Sequence, residues 1–202
     1  MAAFAGPVTH LLYLHGFRSS PQSFKARRMH AWLQAHRPEV HWWCPQLPPS
    51  PRQAMELALD GVRGWPAGGT AVVGSSLGGF YATAVAEALG CRAVLLNPAV
   101  EPARDLRAYI GEQTAFHDPD ERFFFKREYV AELQALHLNV LTRPDRYFVI
   151  IAKGDEVLDW REMHARHAGS RMRLLHGGDH ALSDFDAHLP DIVDFLGLRP
   201  TS

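Results

Sequence analysis

The chain has very little cysteine: only Cys44 and Cys91 occur among its 202 residues. Two isolated thiols without a metal-binding or redox motif exclude a disulfide-rich scaffold and indicate a reducing compartment. We expect both to be buried structural thiols, because a free cysteine usually behaves as a small apolar side chain.

The chain also lacks a charge imbalance and long apolar runs. Lysine and arginine number 21 against 22 acidic residues, a formal net charge of -1, so nothing indicates binding to nucleic acid or to an anionic membrane. No apolar stretch approaches the ~20 residues of a membrane-spanning helix. Residues 1–7 lack the basic and apolar regions of a signal peptide. These absences predict a cytoplasmic protein with no nucleic-acid or membrane partner.

Histidine is abundant, but no metal-ligand pattern accompanies it. Twelve histidines include the pairs His164/His167 and His176/His180. Neither a His-Glu-x-x-His motif nor a Cys/His ligand set occurs, and carboxylates do not cluster with these histidines. We therefore expect neither a metal nor another cofactor.

Strand-like and helix-like segments alternate along most of the chain, whose length fits one domain, residues 1–202. Strands are predicted over 8–14, 40–43, 70–73, 93–97, 146–152 and 171–175, and helices over 23–36, 53–62, 80–89, 159–167 and 189–196. This alternation predicts a single α/β domain with a mostly parallel sheet of about six strands and helices on both faces.

One long interval, residues 99–145, interrupts the alternation. It contains no convincing strand; helices are predicted over 101–110 and 121–138, with turn chemistry in 111–120. Such a helical insertion above the carboxyl ends of the strands is a candidate lid. Ordinary crossover helices with core phenylalanines at 123–125 are the alternative, because aromatic pocket walls and aromatic cores look alike in sequence.

The third predicted strand ends in Gly74-Ser75-Ser76-Leu77-Gly78, which matches Gly-x-Ser-x-Gly, and a helix follows at once. Strand, tight turn and helix are the context in which this motif holds a nucleophilic serine. Glycines at both flanks relieve the crowding of such a turn. The motif therefore predicts Ser76 as a nucleophile, with a glycine-rich phosphate cradle as the alternative.

A nucleophilic serine needs a base, and the base needs an orienting acid. Asp155 directly follows the fifth predicted strand and His180 follows the sixth, so both should lie at the same sheet edge as the serine. Glu156, Asp159 and Asp179 compete as the acid. Asp159 has the position of a helix cap, and Asp179 is adjacent to the histidine, where a hydrogen-bonded pair is difficult to form. We favour Asp155.

Attack of a serine on a carbonyl group also requires two N–H donors for the developing oxyanion. We assign them to Leu77, at the start of the helix after the serine, and to Phe17, in the loop after the first strand. His15, Gly16 and Arg18 of that loop are predicted substrate-binding residues. A plain strand-to-helix turn with an arginine on the surface is the alternative.

Together these segments resemble the YqiA/YcfP-type esterases, small bacterial α/β hydrolases, over residues 8–198. The likeness rests on five segments: 13–23, 74–80, 96–100, 154–159 and 177–181. It implies an α/β-hydrolase fold, no cofactor, and activity on short-chain ester or thioester substrates, with Ser76 as nucleophile, Asp155 as acid and His180 as base. Asp179 and Arg18 stand where asparagine is expected.

The sequence thus predicts a serine esterase or thioesterase that acts through an acyl-enzyme on a small-molecule substrate. A non-catalytic binding protein, docking a partner over residues 123–125, is the main alternative. A nucleotide-binding domain is a weaker one, because Gly-x-x-x-x-Gly-Lys is absent and the glycine-rich turn follows the third strand instead of the first.

Overall fold

The computed structural model describes residues 6–199. Residues 1–5 and 200–202, which include most of the segment considered for a signal peptide and both ends of the predicted domain, lie outside the described residues. Within residues 6–199, no helix is long and apolar enough to cross a membrane.

Six parallel strands form the central sheet in the order β2-β1-β3-β4-β7-β8, and β5 and β6 form a separate antiparallel hairpin. In chain order the strands are β1 His10–Leu14, β2 His41–Trp43, β3 Thr70–Ser75, β4 Arg92–Leu96, β5 Gly111–Thr114, β6 Arg122–Phe125, β7 Tyr147–Ala152 and β8 Arg171–Leu175. All residues of β3, β4 and β7 are buried, as expected for parallel strands covered on both faces.

Helices cover both faces of this sheet. They are α1 Phe24–His36, α2 Pro51–Gly61, α3 Leu77–Leu89, α4 Pro102–Asp105, α5 Arg127–Leu136, α6 Trp160–Arg166 and α7 Phe185–Phe195. Successive side chains of β1 point to opposite faces of the sheet and so belong to two hydrophobic cores. Leu12 and Leu14 pack on the side of α2 and α3, and Leu11 and Tyr13 pack on the side of α1 and α7. The predicted parallel α/β fold is confirmed.

The strand order places a crevice between β1 and β3. The chain adds β2 on one side of β1 and then crosses to place β3 on the other, so the connections leave these two strands in opposite directions. In open α/β sheets, ligands bind outside the carboxyl ends of the strands at this switch point. The loops after β1 and β3 are the ones that carry residues 15–18 and Ser76.

The insertion differs from the predicted pair of helices, because its middle is a β-hairpin. Residues 111–114 pair with residues 122–125, so the expectation of no strand, and of a helix from residue 121, is wrong there. Burial alternates along β6: Phe123 and Phe125 turn inward, whereas Arg122 and Phe124 are exposed. Three consecutive aromatic residues with this period favour a strand, and a helix begins only at Arg127.

The last helix also begins earlier than predicted, at Phe185 instead of residue 189. Pro190 lies inside the helix, and proline there removes one backbone hydrogen bond. Burial of Phe185, Leu189 and Ile192 on one face holds the helix together on both sides of the proline.

Candidate active site

Ser76 lies in a strained turn between β3 and α3. Its φ of 56° and ψ of -121° are rarely adopted by a side-chain-bearing residue. Its N–H donates to the Leu96 carbonyl at 3.0 Å, and its carbonyl accepts from the Ala99 N–H at 3.0 Å. A side chain at Gly78 would collide with the backbone of Leu14, so the motif's second glycine lets α3 approach β1.

His180 connects Ser76 to Asp155 through hydrogen bonds at both ring nitrogens. Its Nε2 lies 3.0 Å from the Ser76 Oγ, and its Nδ1 lies 2.8 Å from the Asp155 Oδ2. The Asp155 side chain is fully buried, and the His180 side chain is 21% exposed. With Nδ1 protonated, Nε2 is an acceptor for the serine hydroxyl.

The competing carboxylates have other partners. Glu156 accepts the backbone N–H of His180 at 3.0 Å. Asp159 accepts the N–H of Arg161 at 2.9 Å and caps α6, as predicted. Asp179 accepts the Ser183 N–H and hydroxyl, and these bonds hold the pKa of Asp179 below its usual range. Of the four candidate acids, Asp155 is the one bonded to the imidazole of His180.

Backbone groups fix the orientation of Asp155. Its Oδ1 accepts two N–H donors, from Val157 and from Leu158, each at 2.8 Å. Its Oδ2 is thereby turned toward His180. One oxygen anchors the carboxylate to its own loop, and the other holds the imidazole.

Asn97, which the sequence analysis did not single out as a site residue, holds the histidine loop in place. Its Nδ2 donates to the carbonyls of Asp179 and His180 at 3.0 and 3.2 Å, and its Oδ1 accepts the Ala152 N–H at 2.8 Å. The side chain is fully buried. The sequence feature that could have indicated this role is an asparagine, followed by Pro98, directly after β4.

The first loop lies against the serine. A Cβ built on Gly16 would be 3.2 Å from the Ser76 Cβ. Within residues 6–199, none of the backbone hydrogen bonds in turns, loops and caps uses the N–H of Phe17 or Leu77. Phe17, Ser76 and Leu77 line one cavity, so both predicted donors are near the serine and have no other backbone acceptor.

The hairpin insertion holds this loop on two sides. The Phe17 ring makes edge contacts with Tyr109, Phe123 and Phe125, with centroids 5.3–5.8 Å apart. Arg18 has a φ of 59°.

Arg18 contacts the hairpin through both backbone and side chain. Its Nε donates to the Thr114 carbonyl at 2.6 Å, its carbonyl accepts the Phe116 N–H at 2.7 Å, and its guanidinium lies 4.3 Å from the Phe116 ring centroid. Neither expectation for Arg18, a substrate contact or a surface side chain, includes this contact with the hairpin, and substrate binding by Arg18 stays a prediction.

His15 makes two backbone contacts with its ring. Its Nε2 accepts the Leu47 N–H at 3.0 Å, and its Nδ1 donates to the Gly16 carbonyl at 3.0 Å. Burial lowers the pKa of His15 to about 4, so the ring is neutral at pH 7. Both nitrogens therefore support the loop, and substrate binding by His15 stays a prediction that its hydrogen bonds do not favour.

Two connected cavities meet at Ser76 and His180. A cavity of about 310 Å³ is mostly apolar, with walls that include Leu77, Leu106 and Tyr109. A second, of about 620 Å³, extends toward β1 and α1. Phe116, 72% exposed, and Val157, 57% exposed, border both. Such an apolar cleft with a few polar groups is typical of a small-molecule site.

Other reactive side chains are inert or scattered. Among the described residues, no group of three histidine, cysteine or acidic side chains could hold a metal ion. Burial raises the pKa of both the Cys44 and the Cys91 thiol to about 12. These thiols stay protonated at pH 7 and are poor nucleophiles.

Solved structures similar to this chain share its α/β-hydrolase fold. A candidate hydrolase from Agrobacterium vitis S4 matches with a TM-score of 0.74 and 18% identity, covering 93% of this chain and 87% of its own. Mouse alpha/beta hydrolase domain-containing protein 10 has a TM-score of 0.69, 16% identity and coverages of 95% and 92%. Est1E from Butyrivibrio proteoclasticus has a TM-score of 0.64, 17% identity and coverages of 94% and 86%.

The sequence itself matches a family model over nearly its whole length, residues 10–197. The matched region includes the serine turn, both later loops and the hairpin insertion. The chain therefore belongs to the uncharacterised protein family UPF0227, as its YqiA/YcfP-type resemblance predicted, and it has the α/β-hydrolase fold.

Proposed function

We propose that the protein is a serine hydrolase of carboxylic esters or acyl thioesters. The observation that carries this proposal is the continuous hydrogen-bonded chain from Asp155 through His180 to Ser76, at the switch point of the sheet. Nucleophile, base and orienting acid in this order define the triad chemistry of α/β hydrolases. The fold shared with Est1E and the mouse hydrolase-domain protein agrees with it.

In this proposal the reaction runs through an acyl-enzyme. Ser76 Oγ attacks the carbonyl carbon while His180 Nε2 takes the hydroxyl proton. The N–H groups of Phe17 and Leu77 bind the oxyanion. The tetrahedral intermediate then expels the alcohol or thiol, which receives the proton from His180.

Deacylation repeats these steps with water. His180 removes a proton from water as it attacks the acyl carbon, and Ser76 Oγ leaves with that proton. Asp155 stays ionised and stabilises the imidazolium formed in each half-reaction. The products are a carboxylic acid and an alcohol or thiol, and no cofactor takes part.

A fluorophosphonate probe tests the nucleophile. We expect covalent labelling of the wild-type chain, loss of labelling in Ser76→Ala, and retained labelling in Ser75→Ala, the matched control one residue away. Turnover should be measured on a series of p-nitrophenyl esters and acyl thioesters of increasing chain length. Labelling that persists in Ser76→Ala, or no turnover of any member, would contradict the proposal and favour a non-catalytic binding protein.

A further inference from the structure

The larger cavity at Ser76 has a polar wall that the proposed acyl transfer does not use. Lys25, in the first turn of α1, places a cation on this wall. Ser76 and His180 line the same space. Lys25 does not line the smaller cavity, so a group bound beside it lies on the β1 and α1 side of the serine.

Lys25 is a half-buried cation without an ion pair. Its Nζ donates to the Ala181 carbonyl at 2.5 Å, and within residues 6–199 no carboxylate lies within 4 Å of it. An ammonium group has three hydrogens, so this bond leaves donors free for the cavity.

The nearby carboxylates compensate this charge only in part. Asp155 is bonded to His180 and to two backbone N–H groups, and Asp179 is bonded to Ser183. Burial outweighs their attraction and lowers the pKa of Lys25 to about 8. An anion in the cavity would restore the solvation that the ammonium has lost.

We propose that Lys25 binds a terminal carboxylate of the substrate. The proposal rests on the proposed ester hydrolysis and names its substrate class: esters or thioesters that carry a free carboxylate beyond the scissile bond. A carboxylate fits better than a phosphate dianion, because the wall offers one cation and Glu156 also lines the cavity. The carboxylate can belong to the acyl half or to the alcohol half.

Matched substrates test this subsite. For the acyl half, p-nitrophenyl hydrogen glutarate is compared with the ester in which an isopropyl group replaces its carboxylate. For the alcohol half, the butyrate ester of a hydroxybutanoate is compared with the ester in which an isopropyl group replaces the free carboxylate. Release of acid measures the hydrolysis of this pair. We expect roughly a tenfold higher kcat/KM for the carboxylate member in one of the two pairs, because a charge-assisted hydrogen bond is stronger than one between neutral groups.

Variants at Lys25 then test whether this side chain causes the preference for the carboxylate substrate. Lys25→Met should bring the ratio of the two kcat/KM values close to one, and Lys25→Arg should retain most of it. Lys153→Met is the control, because the Lys153 amine lies over the Trp160 ring and does not line the cavity. An unchanged ratio in Lys25→Met, or no carboxylate preference in either pair, would overturn the subsite.

The same measurements separate this inference from the proposed function. Hydrolysis of the neutral esters with no carboxylate preference overturns the subsite alone. A wild-type chain that hydrolyses no ester and is not labelled at Ser76 overturns both. A phosphonate analogue preferred over the carboxylate would overturn the assignment of the carboxylate.

Discussion

At the scale of single residues, the two oxygens of Asp155 have different tasks. Oδ1 accepts two backbone N–H groups and Oδ2 faces His180 Nδ1. The sequence pointed to this aspartate through its place after a strand. Only the folded loop turns it toward the imidazole, while Glu156 accepts the His180 backbone N–H, and Asp159 and Asp179 bond to Arg161 and Ser183.

Replacing Asp155 by asparagine should lower kcat about 10⁴-fold, as expected when the triad histidine is held in the wrong tautomer. The amide oxygen will accept the two backbone N–H groups, so the amide NH₂ will face Nδ1. His180 then carries its proton on Nε2 and cannot accept the one from Ser76. Ester turnover of the purified variant measures this effect.

Asp159→Asn is the matched control, since its side chain caps α6 and does not touch His180. We expect its kcat to stay within about twofold of wild type, because asparagine is also a good N-cap. Near-normal activity in Asp155→Asn would remove Asp155 from the proposed triad.

At the scale of elements, the insertion supports the first loop instead of only covering the cleft. Phe17, the proposed oxyanion donor, has its ring among aromatic side chains of the insertion, and Arg18 is bonded to the end of β5. The lid hypothesis remains a prediction. What the contacts indicate is that the position of the Phe17 N–H depends on the hairpin.

Arg18→Ala should therefore lower kcat by roughly tenfold to a hundredfold with a smaller effect on KM, because a displaced oxyanion donor weakens binding of the transition state. Steady-state kinetics on one ester, together with the labelling rate at Ser76, measures this change.

Arg122→Ala is the control within the same hairpin. It removes an exposed ion pair with Glu112, 2.6 Å long across β5 and β6, and such pairs contribute about 0.2–1 kcal/mol. We expect kcat to be unaffected. Equal losses in both variants would reduce the role of Arg18 to stabilising the hairpin.

At the scale of the whole molecule, buried histidines should make stability depend on pH. His15 and His167 are buried, and burial lowers the pKa of each from 6.5 to about 4. Between these values the unfolded chain binds protons that the folded chain excludes, so the free energy of unfolding falls as the pH falls. Each histidine accounts for about 3 kcal/mol of this loss at pH 4.

Denaturant unfolding between pH 7 and pH 4 checks this prediction. His167→Leu should reduce the pH dependence of the free energy of unfolding by about half. The substitution is tolerable because the Nδ1 of His167 has no hydrogen-bond partner in the described part of the chain and the ring is packed on Tyr147. Parallel curves for wild type and His167→Leu would contradict it.

The sequence by itself determined the alternation of strands and helices, the serine turn, and an acid and a histidine after two later strands. These are local patterns: apolar periodicity, glycine at crowded turns, and the fact that parallel strands end at one edge of a sheet. For that reason the sequence alone points to Ser76, Asp155 and His180.

Only the tertiary structure decided the contacts that support those residues. Arg18 meets Thr114, Asn97 meets His180, and Lys25 meets Ala181 across 96, 83 and 156 positions of the chain. Each is a polar bond to a backbone carbonyl, which every residue carries, so side-chain identity does not reveal the partner. The hairpin was missed for a related reason: its strands are short, and their pairing depends on the aromatic contacts with Phe17.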